Sequence, residues 1–487
     1  MKNDYQVIII GSGFGGQLAA MNLNKKGIND YILLERREFM GGTWSQNTYP
    51  GAAVDVPSPL YSISSEPYDW SQMFADQAEL QSYTDHIIAK HHLKEKTVTQ
   101  ANVSKIAWHE GNKRWDISLD DGRHFSTQFI INATGPLSTP VIPDFPGKDT
   151  FKGAAFHSNN WDHSVDYKNK RVAIIGSGAS AAQIIPTIAP SVSHLHILQR
   201  TPHWVMPRND HHFKPWQRAL LKNKWVYNAL RILIYWIFEF RVIGLKYSDF
   251  ALKVLAKNKA EKHIKDQIQD PELRRKVTPD FTIGCKRVIL SDTLYSAYCR
   301  QNVTLYDKTN GIKEITEKGI VTQDGVEHEL DIIVYCTGYD ATDGVISYPV
   351  IGKKEKALAE VWQDFPRAYL GTSIPEFPNL FIVTGPNTGI GHTSALFIIE
   401  SQMHYIMNAI EAVQSRPETV IEVKADAENA YTELVHKEME KTVWQRGGCN
   451  SWYKSKSGKV IAMFPGFSFT YRRWSKNFKA QDHQFEA

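Results

Sequence analysis

Solid apolar runs alternate with helical periods along the first two hundred residues, and one such unit occurs twice. Residues 5–10 form an apolar run broken only at Gln6, the pattern of a parallel strand buried on both faces. Gly11-Ser12-Gly13-Phe14-Gly15-Gly16 follows at once, then a helical stretch to about Lys26, then a second apolar run over 31–34 that ends in Glu35. The unit returns with a strand over 171–175, Gly176-Ser177-Gly178-Ala179-Ser180-Ala181 opening a helix, and a strand over 194–198 followed by Gln199-Arg200. Twenty-four positions separate Gly11 from Glu35, and twenty-four separate Gly176 from Arg200.

In such a unit the first glycine permits the tight turn, the second lets backbone approach a pyrophosphate, and the third lets helix and strand pack closely. Gly11, Gly13 and Gly16 fill those places in the first copy, Gly176 and Gly178 the first two in the second. Each helix then aims free N–H groups at phosphate. The position after the second strand chooses the ribose. Glu35 can accept from a free 2′-hydroxyl, as in FAD, whereas a cation at Arg200 suits the 2′-phosphate of NADPH. The bland alternative for Arg200 is a solvated strand-end charge.

Two further strands, 129–132 and 331–335, stop at Ala133-Thr134-Gly135 and Cys336-Thr337-Gly338, endings suited to a chain passing close beneath a nucleotide. Residues 209–280 are rich in Lys, Arg, Leu and Ala with helical periodicity. Residues 380–383 form a strand, and Thr384-to-His392 is a glycine-rich turn before a helical pattern over about 393–412. The fold class expected is α/β: two Rossmann-like dinucleotide-binding domains. The FAD domain is discontinuous, 1–150 and 345–487; the NADPH domain spans 151–344 with a helical insertion at about 209–280.

Composition narrows the class without deciding it. The 487 residues suffice for two or three domains. Net charge is +4, from 56 basic and 52 acidic residues, so no nucleic-acid partner is implied. Cys285, Cys299, Cys336 and Cys449 have neither CxxC nor metal spacing; no metal is expected, and reduced thiols in the cytoplasm are the simplest expectation. The N-terminus has no signal-peptide pattern. The apolar stretch 226–243 is interrupted by Asn228, Arg231, Glu239 and Arg241, so an integral membrane span is not expected. A buried or amphipathic helix is favoured over a surface patch for membranes or apolar substrates.

Four segments carry a resemblance to a known family: Gly11-to-Gly16; Gly41-Gly42-Thr43-Trp44 through Tyr49-Pro50-Gly51 to Asp55; residues 151–162; and Gly176-to-Ala181. The third holds Phe151, Gly153, His157 and Trp161-Asp162, the pattern FxGxxxHxxxW followed by Asp. The chain resembles the type I Baeyer–Villiger monooxygenases, class B flavoprotein enzymes, over nearly its whole length. The resemblance implies that NADPH reduces FAD, O2 forms a C4a-peroxyflavin, and a ketone becomes an ester or lactone. It implies that Arg287 stabilises the developing negative charge, that Asp55 positions it, and that Lys286 joins Arg200 and Thr201 on the 2′-phosphate. Always charged, arginine suits this role better than lysine, which could give up a proton. Thr43, Trp44 and Tyr49 are expected beside the flavin. Trp452, within Asn450-Ser451-Trp452-Tyr453, is expected on a segment closing over NADP. Phe151, Gly153, His157 and Trp161 are expected to be a structural joint between the nucleotide domains, although His157 by itself could be read as a general base.

Three other readings stay open. Flavin-containing monooxygenases that oxidise S or N centres share FxGxxxH but commonly lack the closing Trp-Asp, and the Gly41-to-Asp55 segment separates them as well; Arg287 and Asp55 favour the ketone reading. A dithiol reductase needs a cysteine pair near the first nucleotide unit, and no Cys precedes position 285. A flavin-bound sensor would not turn over NADPH. The identity of the ketone and the oligomeric state, monomer or dimer, are left open.

Overall fold

In the computed structural model, which describes residues 2–340 and 346–487, both repeated units fold as parallel strand–helix–strand motifs. The strand Asp4–Ile10 runs between Tyr31–Leu34 and His124–Asn132, all parallel where they meet, with Ile10 opposite both Leu34 and Asn132. The last four residues of the first strand and all four of the second are buried, which is why these runs lack alternation. An antiparallel meander, Val103–His109, Arg114–Leu119 and His124–Asn132, extends the sheet on one side. Val350–Ile351 and Leu380–Ile382 join it from the far end of the chain. Residues beyond the second nucleotide unit thus return to finish the first sheet.

The second sheet is all parallel, ordered Val303–Tyr306, His194–Leu198, Arg171–Ile175, Ile332–Tyr335 and Ala154–His157. Part of the expected connecting stretch is therefore an edge strand, with His157 opposite Tyr335. Gly153 precedes that strand because a side chain there would lie 2.5 Å from both the Asp331 carbonyl oxygen and the Phe151 ring. Trp161 packs edge-on to Phe156 within the second core, at 5.1 Å between ring centres. The bound at 345 lies outside the described residues.

The insertion is helical as expected, from Pro215–Leu221 and Lys224–Glu239 through to Pro271–Val277, but it does not belong to one half. Tyr227, Ile234 and Phe238 of its long helix enter the first core, whereas Leu252, Ala260, Ile264 and Val277 enter the second. Among the described residues, no helix is long and apolar enough to cross a membrane.

The cysteines depart from the expectation of reduced thiols. Cys285 and Cys449 are joined in a disulfide, 164 positions apart; Cys299 and Cys336 are free. Sequence spacing carries no signal for a pair brought together only by the tertiary fold.

Candidate active site

The two glycine turns are built alike. Gly11 and Gly176 have φ of +103° and +128°. Each lies against the carbonyl that follows a central strand: a Cβ would be 2.5 Å from the Ala133 oxygen at Gly11 and 2.2 Å from the Cys336 oxygen at Gly176. The small residues ending strands 129–132 and 331–335 thus pass directly under the fingerprint glycines. Both helices, Phe14–Lys25 and Ala179–Ile188, begin at a glycine with no side-chain cap and no acid in the first turn. Their first N–H groups are free of side-chain acceptors, the donor set a pyrophosphate needs. A Cβ placed on Gly178 would meet no atom within 4 Å, and one on Gly13 only the Gly42 Cα at 3.4 Å.

The ribose-selecting positions differ. Glu35 is buried, and its carboxylate accepts from Ser12 N at 3.0 Å, Ser12 Oγ at 2.7 Å and Arg37 N at 3.1 Å. Arg200 is exposed and makes no ion pair among the described residues. Its charge is felt by Lys286, whose ammonium is pushed below the usual lysine range by burial and then by Arg200. Two cations held within each other's field, one on either chain segment, fit a dianionic phosphate. Thr201 accepts on its carbonyl from Ser177 Oγ at 2.7 Å, tying this corner to the glycine turn.

Between the units stands an ion pair. Arg287 donates from Nε to Asp55 Oδ2 at 2.9 Å and from Nη2 to Oδ1 at 2.7 Å, a two-point fork. About a third of each side chain is open, 32% and 33%. The Asp55 carboxylate holds the Arg287 guanidinium above its usual range, against the opposing effect of burial. Tyr61 and Tyr453 flank the pair: burial pushes each phenol up to about 12, and each feels both Arg287 and Asp55. Trp44, at the start of the short helix Thr43–Gln46, donates from Nε1 to Tyr61 Oη at 3.2 Å. His203 is held neutral down to about 4, mainly by burial and then by Lys286.

Other residues lie on the seam between halves. Tyr49 donates to Gln183 Oε1 at 3.0 Å, and Gln183 Nε2 donates to the Ala53 carbonyl at 2.8 Å, so Tyr49 reaches the second unit's helix. His157 is buried, accepts from Asn159 N at 3.0 Å on Nδ1 and packs edge-on to Tyr339. Gln46 donates to the Asn159 carbonyl at 2.6 Å, and Tyr339 donates to Asn47 at 3.1 Å. The segment after His157 is thereby clasped to the helix bearing Trp44. Phe151 packs against the cluster that includes Ala173, Ile175, Leu198 and Ile333 of the second sheet. Trp452 is exposed and lies edge-on to the buried Tyr453. No motif reveals Tyr61 or Gln183; Tyr453 sits in the Asn450-to-Tyr453 segment, beside the Trp452 that the resemblance singles out.

The chain is similar to known proteins over nearly its whole length. The profile described as flavin-binding monooxygenase-like matches residues 5–383. The chain belongs to that family. A Baeyer-Villiger monooxygenase of Pseudomonas aeruginosa is 40% identical over 478 residues, 98% of this chain and 90% of that protein. One of Streptomyces coelicolor is 39% identical over 482 residues, 98% and 92% of the two chains. Among solved structures, a closed cyclohexanone monooxygenase superposes with a TM-score of 0.90 at 27% identity, covering 100% of both chains. An oxidized steroid monooxygenase bound to NADP gives 0.89 at 28% identity, covering 99% of both chains.

Proposed function

We propose that Arg287, held by Asp55, is the fixed cation of a Baeyer–Villiger oxygenation. The chain is an FAD-containing, NADPH- and O2-dependent monooxygenase of this type, converting ketones to esters or lactones. The observation that carries the site assignment is the two-point Asp55–Arg287 fork standing between two nucleotide turns. FAD, reduced by NADPH, supplies the oxygen chemistry when bound. The protein's part is to hold charge and exclude water. Arg287 offers a positive charge that cannot leave as a proton, where negative charge develops on the substrate oxygen. Asp55 fixes the orientation of the guanidinium. Tyr61 and Tyr453 stay neutral beside the pair, since burial pushes both phenols up to about 12.

Gly11, Gly13, Gly16 and Glu35 bind FAD, with Thr43 and Trp44 alongside; Gly176, Gly178, Arg200, Thr201 and Lys286 bind NADPH. Tyr49 serves the seam, and Trp452 covers the nicotinamide side. Phe151, Gly153, His157 and Trp161 form the joint. The FAD domain takes 1–150 and 345–487, and the NADPH domain 151–344, whose helical insertion at about 209–280 packs partly against the FAD half. Dependence on NADPH supports a cytoplasmic location; the Cys285–Cys449 bond is the feature pulling the other way.

Arg287→Ala tests the assignment. The variant should bind FAD and still oxidise NADPH, while ester formation from a ketone panel falls roughly 100- to 1,000-fold. Undiminished lactone or ester production, measured by mass spectrometry, removes Arg287 from the reaction. Loss of ketone oxidation with sulfide oxidation retained would separate the two oxygenations.

A further inference from the structure

The long insertion helix Lys224–Glu239 buries a mixed face, Ile234 and Phe238 alongside polar residues, and leaves an apolar face open. Every fourth residue along one face is polar and directed into the protein. Tyr227 Oη lies 3.1 Å from Ser62 Oγ and accepts from Trp70 Nε1 at 3.0 Å. Arg231 donates from Nη1 to the Pro59 and Ser62 carbonyls, both at 2.8 Å. Tyr235 Oη meets Ser468 Oγ at 3.0 Å. Glu239, fully buried, accepts from Ser468 Oγ at 2.6 Å and stands 3.3 Å from His392. These bonds fix the helix against the FAD-binding half.

The opposite face is apolar and open. Trp225, Ile232, Leu233, Trp236, Ile237 and Phe240 are all exposed, Trp225 at 85%. The series 225, 232, 236, 240 and the pair 233, 237 advance by one or two helical turns at each step, so they share one stripe. The stripe continues across the fold through ring contacts: Phe240 to Trp236 at 5.8 Å, Trp236 to Phe469 at 6.0 Å, Phe469 to Phe467 at 4.9 Å and Phe467 to Tyr247 at 6.1 Å. Beyond Tyr247, the helical turns carry exposed Phe250, Val254 and Leu255, Phe250 at 77%. Single exposed apolar residues are ordinary, but a contiguous aromatic-rich surface of this extent marks an interaction site.

Charge selects the partner. Residues 214–265 hold twelve Lys and Arg against three Asp and Glu. The whole chain has 56 and 52, so the remainder carries more acids than bases. Exposed Lys222 and Lys224 flank Trp225 along the chain, and exposed Lys253, Lys257 and Lys259 follow Phe250 among Val254 and Leu255. A second copy of the same face would set these cations against one another. Tryptophan and tyrosine among lysines at the edge of an apolar face is the composition that settles at a lipid headgroup boundary. We propose that this exposed apolar face of the insertion docks the enzyme on an anionic phospholipid bilayer, lying in the interface without crossing it. The face also adjoins the catalytic loop: a side chain on Gly284, three residues before Arg287, would lie 2.7 Å from Leu245 Cδ2.

The test is flotation of the FAD-loaded full-length chain with vesicles of phosphatidylglycerol and phosphatidylcholine, beside vesicles of phosphatidylcholine alone. The chain should float with the anionic vesicles, and added salt should weaken binding. Trp225→Ala/Phe250→Ala should bind at least about tenfold more weakly. Lys222→Ala/Lys224→Ala/Lys253→Ala should lose about fivefold per lysine on anionic vesicles. Both variants should keep the native melting temperature and NADPH oxidation, because none of these side chains is buried or in the site. Absence of binding to either vesicle overturns the proposal, as does binding undiminished in both variants. Light scattering showing a native dimer that Trp225→Ala/Phe250→Ala dissociates, without vesicle binding, assigns the face to a second copy and also overturns it.

Discussion

Glu35 and Arg200 occupy the same place in two copies of one unit, twenty-four residues past Gly11 and Gly176, yet their surroundings are opposite. Glu35 is buried and already accepts three hydrogen bonds, two of them from Ser12 in its own glycine turn. Arg200 stands exposed, repelled by Lys286. The first slot is rigid before any nucleotide arrives, so little ordering remains to oppose binding. The second gains most of its favourable charge interaction only when a phosphate separates the two cations. A preorganised site suits a resident cofactor, and one that relaxes on loading suits a cosubstrate that comes and goes.

The strongest way to break this contrast is at Glu35. Glu35→Ala leaves the buried Ser12 N–H and the Arg37 N–H without their acceptor, a cost of about 1–3 kcal/mol for each unmet group. The variant should purify largely without flavin, read from its absorbance, while still binding NADP. Full retention of FAD would show that the slot is not preorganised by this carboxylate. Next in size is Arg200→Ala. Removing one charge-assisted contact to phosphate should lower the preference for NADPH over NADH roughly tenfold to a hundredfold, with flavin content unchanged. Equal use of both nucleotides by the native enzyme would contradict the slot argument outright.

The smallest effect expected is on pH dependence. On the second sheet His196 is buried beside His194 and His328, with ring centres 4.5 and 5.1 Å away. Burial first, then these neighbours, push its imidazole down to about 3. An unfolded histidine takes its proton near 6.5, so below that pH the unfolded chain binds more protons than the folded one. Stability from this group is complete above about pH 6.5 and is lost progressively as pH falls toward 3. At pH 5 the loss should be about 2 kcal/mol, seen as a lower melting temperature that His196→Asn makes less steep. His404, on the helix Ala395–Gln414 of the other half, is pushed down to about 4, mainly by burial, so some acid sensitivity should survive that substitution.

Much of the fold was legible in the sequence because strands buried on both faces leave solid apolar runs and tight turns leave glycines. Residues 171–175 and 194–198 match their strands to the residue. The Asp55–Arg287 pairing came from the family resemblance, since nothing in spacing joins positions 232 apart. Tyr61, Gln183 and the Cys285–Cys449 bond escaped for the same reason: their roles arise where distant segments meet. The insertion misled in another way. Its periodicity was plain, but period alone does not say which face turns inward, and here Arg231 and Glu239 go in with Ile234 and Phe238 while Trp225, Ile232 and Trp236 stay out.

The Cys285–Cys449 bond has a mechanical consequence. Cys285 lies two residues before Arg287, and Cys449 three before Trp452. The bond couples the loop presenting the cation to the segment that carries Trp452 and Tyr453, as a crank couples two shafts. While the bond is intact, a displacement at either end is passed to the other, so on the site proposed above the guanidinium and the Trp452 segment keep step. Reduction removes that coupling.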